Sequence, residues 1–366
     1  MGDCTSGVYG RPPMVRDTHT VEANLIDPFS DARWDDLLAS HPRASVFHQR
    51  GWLEALACTY GYKPLVLTTA SAGAPLSDGI VLSRVSSWIT GTRLVSLPFA
   101  DHCEPLLGGA SDSAELMSRL REEYDRQHWR YVELRPSSGT LEAENGLRQS
   151  ASYWIHELDT RPNLDQLFEG FHKNSFQRKV YRAEKEQISY EAGNSRTLLD
   201  EFYRLLLLTR RRHHLLPQPR AWFKNLVGCL GDGVQISVAR HDGVAVGAML
   251  TLSHRSSIVY KYGCSDERFH NLGAMPFLFW KLIEQAKTAD VEKIDFGRTD
   301  LDNEGLIRFK DRMGTTRKLM TYYRYSRGKE QKVMTGWSSR GFRGFCSILP
   351  DTLFTTAGGV LYRHMG

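Results

Sequence analysis

One order of elements occurs twice in this chain, and that repeat limits the fold more than any other feature of the sequence. A helical stretch from Ala114 to Gln127 leads into Tyr131-Val132-Glu133-Leu134-Arg135, and a second from Met275 to Thr288 leads into Lys293-Ile294-Asp295-Phe296-Gly297-Arg298. Both closing runs alternate, with side chains falling on opposite faces, as a strand requires. The interval from Leu120 to Val132 equals that from Leu282 to Ile294, and the strands end on Glu-Leu-Arg and Phe-Gly-Arg. A repeat of this kind predicts a duplicated unit.

The rest of the chain fits the same plan. In the first half, Trp34, Leu37 and Leu38 mark one helix and Trp52, Leu53, Leu56 and Tyr60 another, with Phe47-His48-Gln49-Arg50 as a polar turn between them. Strands are predicted at Pro64 to Thr68, Gly79 to Val85 and Arg93 to Pro98. In the second half, helical regions from Leu164 to Glu186 and Leu198 to Arg212 precede a hairpin from Gln235 to Leu252, turned at Asp242-Gly243, and a strand from Ile258 to Tyr262. The expected class is α/β with mixed sheets. A length of 366 residues exceeds one ordinary core and suits two domains. The expected divisions are a flexible leader over 1–20, domains over 21–157 and 158–328, and a basic, aromatic tail over 329–366.

Composition excludes several classes. Hydrophobic residues at 41% and charged residues at 24% suit a globular protein rather than a disordered one. No stretch approaches the roughly 20 apolar residues needed to span a bilayer, and the N-terminus lacks the apolar centre of a signal peptide. Cysteines at 4, 58, 103, 229, 264 and 346 form no close pair, which predicts free thiols and a cytoplasmic location. A net charge of +5 favours anionic ligands. The tail could be a docking helix or a basic element at the inner face of the membrane.

The closing strand of the second repeat carries the chemistry. It runs into the acidic segment Thr299-Asp300-Leu301-Asp302-Asn303-Glu304-Gly305 and then a short helix through Leu306, Phe309 and Met313. Asp295 is expected to point away from the core, and Lys310 sits just past a strand end, where α/β sheets bind ligands. This order of D-F-G strand, acidic loop and G-L-x-x-F-K helix resembles the Fem-type aminoacyltransferases. The resemblance covers about residues 30 to 327 and implies two tandem GNAT-like (acyl-CoA N-acyltransferase) domains. It also implies that Lys310 lies in a substrate cleft, where it stabilises charge during transfer, with Phe309 beside it.

Three more places have functional chemistry. Asp101, His102 and Cys103 follow a strand, but neighbours in extended chain point to opposite faces, so they cannot converge as a triad. Asp101 or His102 remains as a base or amine-binding group, and the resemblance implies that an acid near Asp101 lines the cleft. After the strand ending at Tyr262 comes Arg268-Phe269-His270-Asn271-Leu272-Gly273-Ala274. It matches the pyrophosphate loop Q/R-x-x-G-x-G/A of coenzyme A-dependent GNAT enzymes except at Asn271, so Arg268, Asn271, Gly273 and Ala274 are candidate cofactor-binding residues. Basic residues gather at Arg178, Arg182 and Lys185 on one helical face and at Arg210-Arg211-Arg212 on a helix end, suiting a phosphate clamp. The resemblance implies substrate-binding roles for Thr209 and Arg212 and for aromatics matched by Tyr260 and Tyr262. Asp295 and Arg298 at the closing strand complete that set. His213-His214 lacks carboxylate partners at ligand spacing, and no metal is predicted.

Two functions are open on these grounds. One is an N-acyltransferase working by direct attack, with acyl-CoA or aminoacyl-tRNA as co-substrate and no tightly bound cofactor. The resemblance implies an amine acceptor from cell-envelope precursors, such as a peptidoglycan peptide or amino sugar, lipid- or nucleotide-linked. The other is a non-catalytic module that binds tRNA or an anionic envelope precursor, favoured by the substitution at Asn271.

Overall fold

The computed structural model describes residues 24–88, 91–138, 146–327 and 350–365, so the expected leader and most of the tail lie outside the described residues. The first half contains β1 (Asn24–Ile26), α1 (Arg33–Ser40), α2 (Arg50–Tyr60), β2 (Lys63–Thr68), β3 (Ile80–Ser87), β4 (Gly91–Val95), α3 (Ala110–Gln127) and β5 (Val132–Leu134). There follow β6 (Arg148–Asp159), α4 (Leu164–Glu169), α5 (Arg178–Lys185), β7 (Ser189–Gly193), α6 (Arg196–Arg212) and α7 (Arg220–Leu230). Then come β8 (Val234–His241), β9 (Val244–His254), β10 (Ser257–Ser265), α8 (Ala274–Thr288), β11 (Lys293–Asp300), α9 (Glu304–Asp311) and β12 (Thr316–Tyr325). A last helix, α10, spans Asp351–Met365.

The strands form one sheet in the order β1-β2-β3-β4-β5-β12-β6-β11-β10-β9-β8-β7. Among the described strands two pairs are parallel, β4 with β5 and β10 with β11, and they hold equivalent places in the two halves. The middle of the sheet is exchanged. The last strand, β12, pairs with β5 of the first half, while β6 lies between β12 and β11. The two expected domains therefore share a seam, and β6, at the expected boundary, pairs on both sides with second-half strands.

Alternation along the strands sorts the core onto two faces. One face carries a continuous cluster spanning both halves, from Trp34, Phe47 and Trp52 to Phe202, Trp222 and Tyr262, and α2 packs on α7 there. The opposite face carries separate clusters, Leu82 and Val132 with Leu116 of α3, and Ile258 and Ile294 with Phe279 of α8. The polar turn expected at Phe47-His48 is a short helical turn buried in the shared core, because His48 bonds inward, its Nε2 2.8 Å from the Glu104 carbonyl. The helical region expected from Leu164 to Glu186 breaks into α4, a π-type turn at Lys173–Gln177, and α5. The hairpin turn falls at Asp242-Gly243 as expected, both residues having positive φ (48° and 75°). The four described cysteines, Cys58, Cys103, Cys229 and Cys264, are free thiols. No described helix is long and apolar enough to cross a membrane.

Candidate active site

The two parallel pairs part soon after they form. β4 and β5 are in register only at Leu94–Val132 and Val95–Glu133, and β10 and β11 only from Ser257–Lys293 to Val259–Asp295. In the first half the chain leaving β4 closes over this opening. Leu97 and Phe99 take positive φ (62° each), and Arg135 donates from Nη1 to the Leu97 carbonyl at 2.9 Å. The same loop then delivers Asp101 and His102 to the opening of the second half. Asp101 Oδ2 lies 2.8 Å from Lys261 Nζ, and His102 Nε2 lies 2.8 Å from Asp295 Oδ2.

Two local irregularities prepare the second opening. A bulge between Tyr260 and Tyr262 in the β9–β10 ladder turns Lys261 toward Asp101. The β11–β6 ladder slips between Asp295 and Arg298, with Gly297 at φ 69°. There the Gly297 amide donates to Asp295 Oδ1 at 2.7 Å, and its carbonyl is free to accept from Lys310 Nζ at 2.9 Å. A Cβ at Gly297 would stand 3.0 Å from Asp101 Oδ2, so a glycine fits here where a larger residue crowds the carboxylate.

Lys310 lies on α9, whose start is capped by Asn303 Oδ1 accepting from the Leu306 amide. Its side chain is 3% exposed, and its second bond goes to the Arg298 carbonyl at 3.2 Å. Burial pulls its pKa down to about 8, against the charges of Asp101 and Asp295, which raise it. Asp295 does not point to solvent as the alternation suggested. It is 3% exposed, because the first half's loop covers that face. Burial works against the charged form of His102, but the hydrogen bond and charge of Asp295 prevail and raise its pKa above the ordinary value. Burial likewise opposes ionisation of Asp101, yet Lys261 and Arg298 hold its carboxyl below the usual range. His102 Nδ1 is buried without a partner.

Arg298 forms the rim. Its guanidinium lies 4.5 Å from the Tyr153 ring centre and donates to the Tyr322 hydroxyl at 2.9 Å, and that hydroxyl donates to the Asp101 carbonyl. Cys103, next to His102, is turned away into the core, 3.4 Å from His48 Nε2, and burial raises its thiol pKa. The convergence of a Cys-His-Asp triad is absent, as the sequence argument required.

The other predicted residues lie nearby but in different settings. Thr209 and Arg212 meet at Ser265, whose carbonyl accepts from Thr209 Oγ1 (3.2 Å) and Arg212 Nη1 (3.3 Å). Tyr260 packs against Phe279 and Phe296 on one face of the sheet, while Tyr262 sits in the shared core and accepts from Trp222 Nε1 at 2.9 Å. Phe309 packs on Phe176 and Phe279. Arg268 folds onto Asp266, Nη2 to Oδ2 2.6 Å. Asn271 is within a helical turn, and the left-handed residue of this loop is Gly273 at φ 80°, beside Ala274 at the start of α8. A Cβ on Gly273 would lie 2.2 Å from the Lys179 carbonyl, so α5 presses directly on the loop. Between α5, this loop and α9 opens a cleft of about 520 Å³, lined by Lys179, Phe269, His270, Arg308, Phe309 and Arg312 among others.

Sequence reasoning missed Lys261, although a lysine inside the apolar run Ile258-Val259-Tyr260-Lys261-Tyr262 was a signal for it. It also missed Tyr153 and Tyr322, since nothing local links them to Arg298.

Residues 171–311 match the family model of the Acetyltransferase (GNAT) domain. No curated protein matches the chain. Among solved structures it resembles FemX, at 14% identity and a TM-score of 0.65, covering 80% of this chain and 95% of that one. A tandem GNAT protein from the clavulanic acid biosynthesis pathway matches at 14% identity and a TM-score of 0.52, covering 85% and 100%. The C-terminal domain of a putative lysylphosphatidylglycerol synthetase from Agrobacterium fabrum matches at 12% identity and a TM-score of 0.54, covering 81% and 90%. These likenesses establish the tandem GNAT fold.

Proposed function

We propose that this chain, a GNAT-type acyltransferase with the fold of FemX, moves an acyl or aminoacyl group from acyl-CoA or aminoacyl-tRNA to an amine of a cell-envelope precursor by direct attack. The observation that carries this reading is the setting of Lys310. Its buried ammonium is held by two sheet carbonyls, and the Asp101–Lys261 and His102–Asp295 pairs reach the same opening from both halves.

The chemistry follows from these groups. An entering ammonium must lose a proton, and His102 suits this because Asp295 orients the ring through Nε2 and leaves Nδ1 free. Asp101 and Asp295 supply negative charge to hold the amine. As the nitrogen attacks, the carbonyl oxygen becomes an anion, which the Lys310 ammonium stabilises by roughly 3 kcal/mol. The buried, raised-pKa thiol of Cys103 argues against an acyl-enzyme.

The basic and aromatic cleft between α5 and α9 supports a polyanionic donor, with Phe309 in its lining and Thr209 and Arg212 holding the carbonyl of Ser265, another lining residue. Arg298, on its tyrosine support, suits an anionic group of the acceptor. Action at the inner face of a membrane agrees with the outward Leu353, Val360 and Met365 of α10 and with Trp88, 86% exposed. The test is to offer the purified protein labelled acetyl-CoA and aminoacyl-tRNAs in parallel, with crude envelope precursors as acceptor. Label must appear in the acceptor with one donor class and vanish in Lys310→Ala; no transfer from either donor overturns the reading.

A further inference from the structure

Several of the exposed large hydrophobic side chains lie on or against α10. Leu353 and Val360 are 56% and 61% exposed, and Met365 is exposed as well. Leu353, Thr356, Val360 and Arg363 recur at intervals of three or four residues, so they share one stripe of the helix, and all four face outward. Trp88, the residue after β3, extends this surface. Its ring centre is 5.8 Å from that of His364, and the side chain stands in water.

This exposure is not that of a loosely attached helix. Phe354 is fully buried in a cluster with Leu216, and Gly358 runs so close to the Pro217 carbonyl that no side chain fits there. The last carbonyls of a helix lack partners within it. Here the Tyr62 hydroxyl reaches those of Tyr362 and Arg363 at 3.0 and 3.2 Å, and Arg93 Nη2 donates to that of His364 at 2.9 Å. The inner face is thus pinned to β2, β4 and the segment after α6, while nothing among the described residues covers the outer stripe. The charge beside it is positive. Arg363 ends the stripe, and the single acid of α10, Asp351, is paired with Arg211. The sequence that leads into the helix carries Lys329, Lys332, Arg340 and Arg343 against Glu330 alone.

We propose that α10 and Trp88 form a docking surface for an anionic lipid bilayer. An aliphatic stripe bounded by cations is what a helix lying in the headgroup plane presents, and tryptophan favours that same level. Leu353 and Val360, two turns apart on one side, enter the bilayer together with Trp88, and Arg363 meets the anionic headgroups. A second copy of the chain fits less well, because two such stripes placed face to face bring Arg363 and the basic sequence before α10 against like charge. The surface also has a fixed relation to the candidate active site. Tyr362 of α10 packs on Phe99, 5.6 Å between ring centres, and Phe99 belongs to the loop that carries Asp101 and His102. Docking therefore holds the opening at a constant height above the lipid. Its use in reaching a membrane-held acceptor rests on the proposed function, whereas the binding itself does not.

The test measures binding and no transfer. The full chain is sedimented with vesicles of phosphatidylcholine, with or without phosphatidylglycerol. Wild type should bind the phosphatidylglycerol vesicles at least roughly tenfold more tightly than phosphatidylcholine alone, and lose that margin in high salt. The double variant Leu353→Glu, Val360→Glu should weaken binding by at least roughly tenfold, and Trp88→Ser by at least roughly threefold. Melting should stay near wild type, since all three side chains are in water. Leu319→Glu, at an equally exposed leucine on β12, should bind as wild type does. Should the double variant fail to fold, Trp88→Ser decides alone. The proposal is overturned if wild type ignores phosphatidylglycerol vesicles, if the α10 and Trp88 variants bind as well as wild type, or if Leu319→Glu weakens binding as much as they do. A dimer that the double variant abolishes, with no lipid bound, also overturns it and gives the face to a second copy. Because no acyl transfer is measured, absence of transfer to any acceptor would count against the proposed function and leave this result standing.

Discussion

Asp101 Oδ2 and Lys261 Nζ, 160 residues apart in sequence and from different halves of the chain, sit 2.8 Å from each other where β10 and β11 part. The pair is nearly buried, with side-chain exposures of 17% and 7%. It ties the loop after β4 to the bulge in β10, so the site's geometry depends on both halves at once.

Removing the two partners together should therefore cost less than the sum of removing each alone. Asp101→Asn leaves a buried ammonium without its counter-charge and should lower unfolding free energy by about 3 kcal/mol. Lys261→Met should cost a similar amount, and the double variant less than the sum of the two. Urea unfolding of the four proteins measures this, and additive losses would show that the pair is not coupled.

Lys310→Met should cut transfer by about a hundredfold to a thousandfold while the protein folds. The same variant carries a pH signature. The Lys310 pKa is about 8 in the folded chain against an ordinary 10.5, so between those values the unfolded state binds more protons. Wild-type stability relative to Lys310→Met must then rise from pH 8 to 10.5, by up to roughly 3 kcal/mol. A gap that stays flat across this window would place the ammonium in contact with water.

Two histidines should give a slope of the same sign at lower pH. His48 and His156 are both held down to about 4, chiefly by burial, so below pH 6.5 the unfolded chain takes up protons that the folded one refuses. Stability should fall between pH 6.5 and 4, by at most about 3 kcal/mol for each ring. His156→Phe should flatten the slope of denaturation midpoint against pH in that range; an unchanged slope would mean that the ring titrates normally.

Gly297→Ala should lower transfer more than stability. The residue has φ 69°, and the added methyl would stand 3.0 Å from Asp101 Oδ2. Strain of this kind costs about 1–2 kcal/mol, but the displaced carboxylate and the shifted carbonyl that holds Lys310 should reduce the rate at least tenfold. Melting and transfer rates measured on one preparation separate the two effects.

Much of the candidate site's local structure was legible because its parts follow one another in the chain. Strand, loop and the Phe309-Lys310 helix follow one another within a short stretch, and alternation and helical spacing describe each of them. Asp101 and His102 were also visible, as chemically capable groups at a strand end. Their partners were not. Lys261 turns inward through a bulge, and a bulge leaves no mark in periodicity. Asp295 was expected to face outward, since its covering comes from a loop nearly two hundred residues earlier. The strands β6 and β12 were missed for a similar reason. Arg148-Gln149-Ser150 and Thr316-Arg317-Lys318 are polar openings, and pairing with the opposite half supplies the order that their composition lacks. The pairing of Arg298 with Tyr153 and Tyr322 depends on the same seam.

The exchanged strand also sets a schedule for synthesis. β12 is the neighbour that completes the first half's edge at β5, yet it is nearly the last strand-forming segment to leave the ribosome. The nascent first half must wait with β5 uncovered until residues near Tyr325 emerge, which is the kind of open edge that invites association with other chains. The exchange that joins the two halves in the finished molecule is thus also what leaves its first half exposed while the chain is being made.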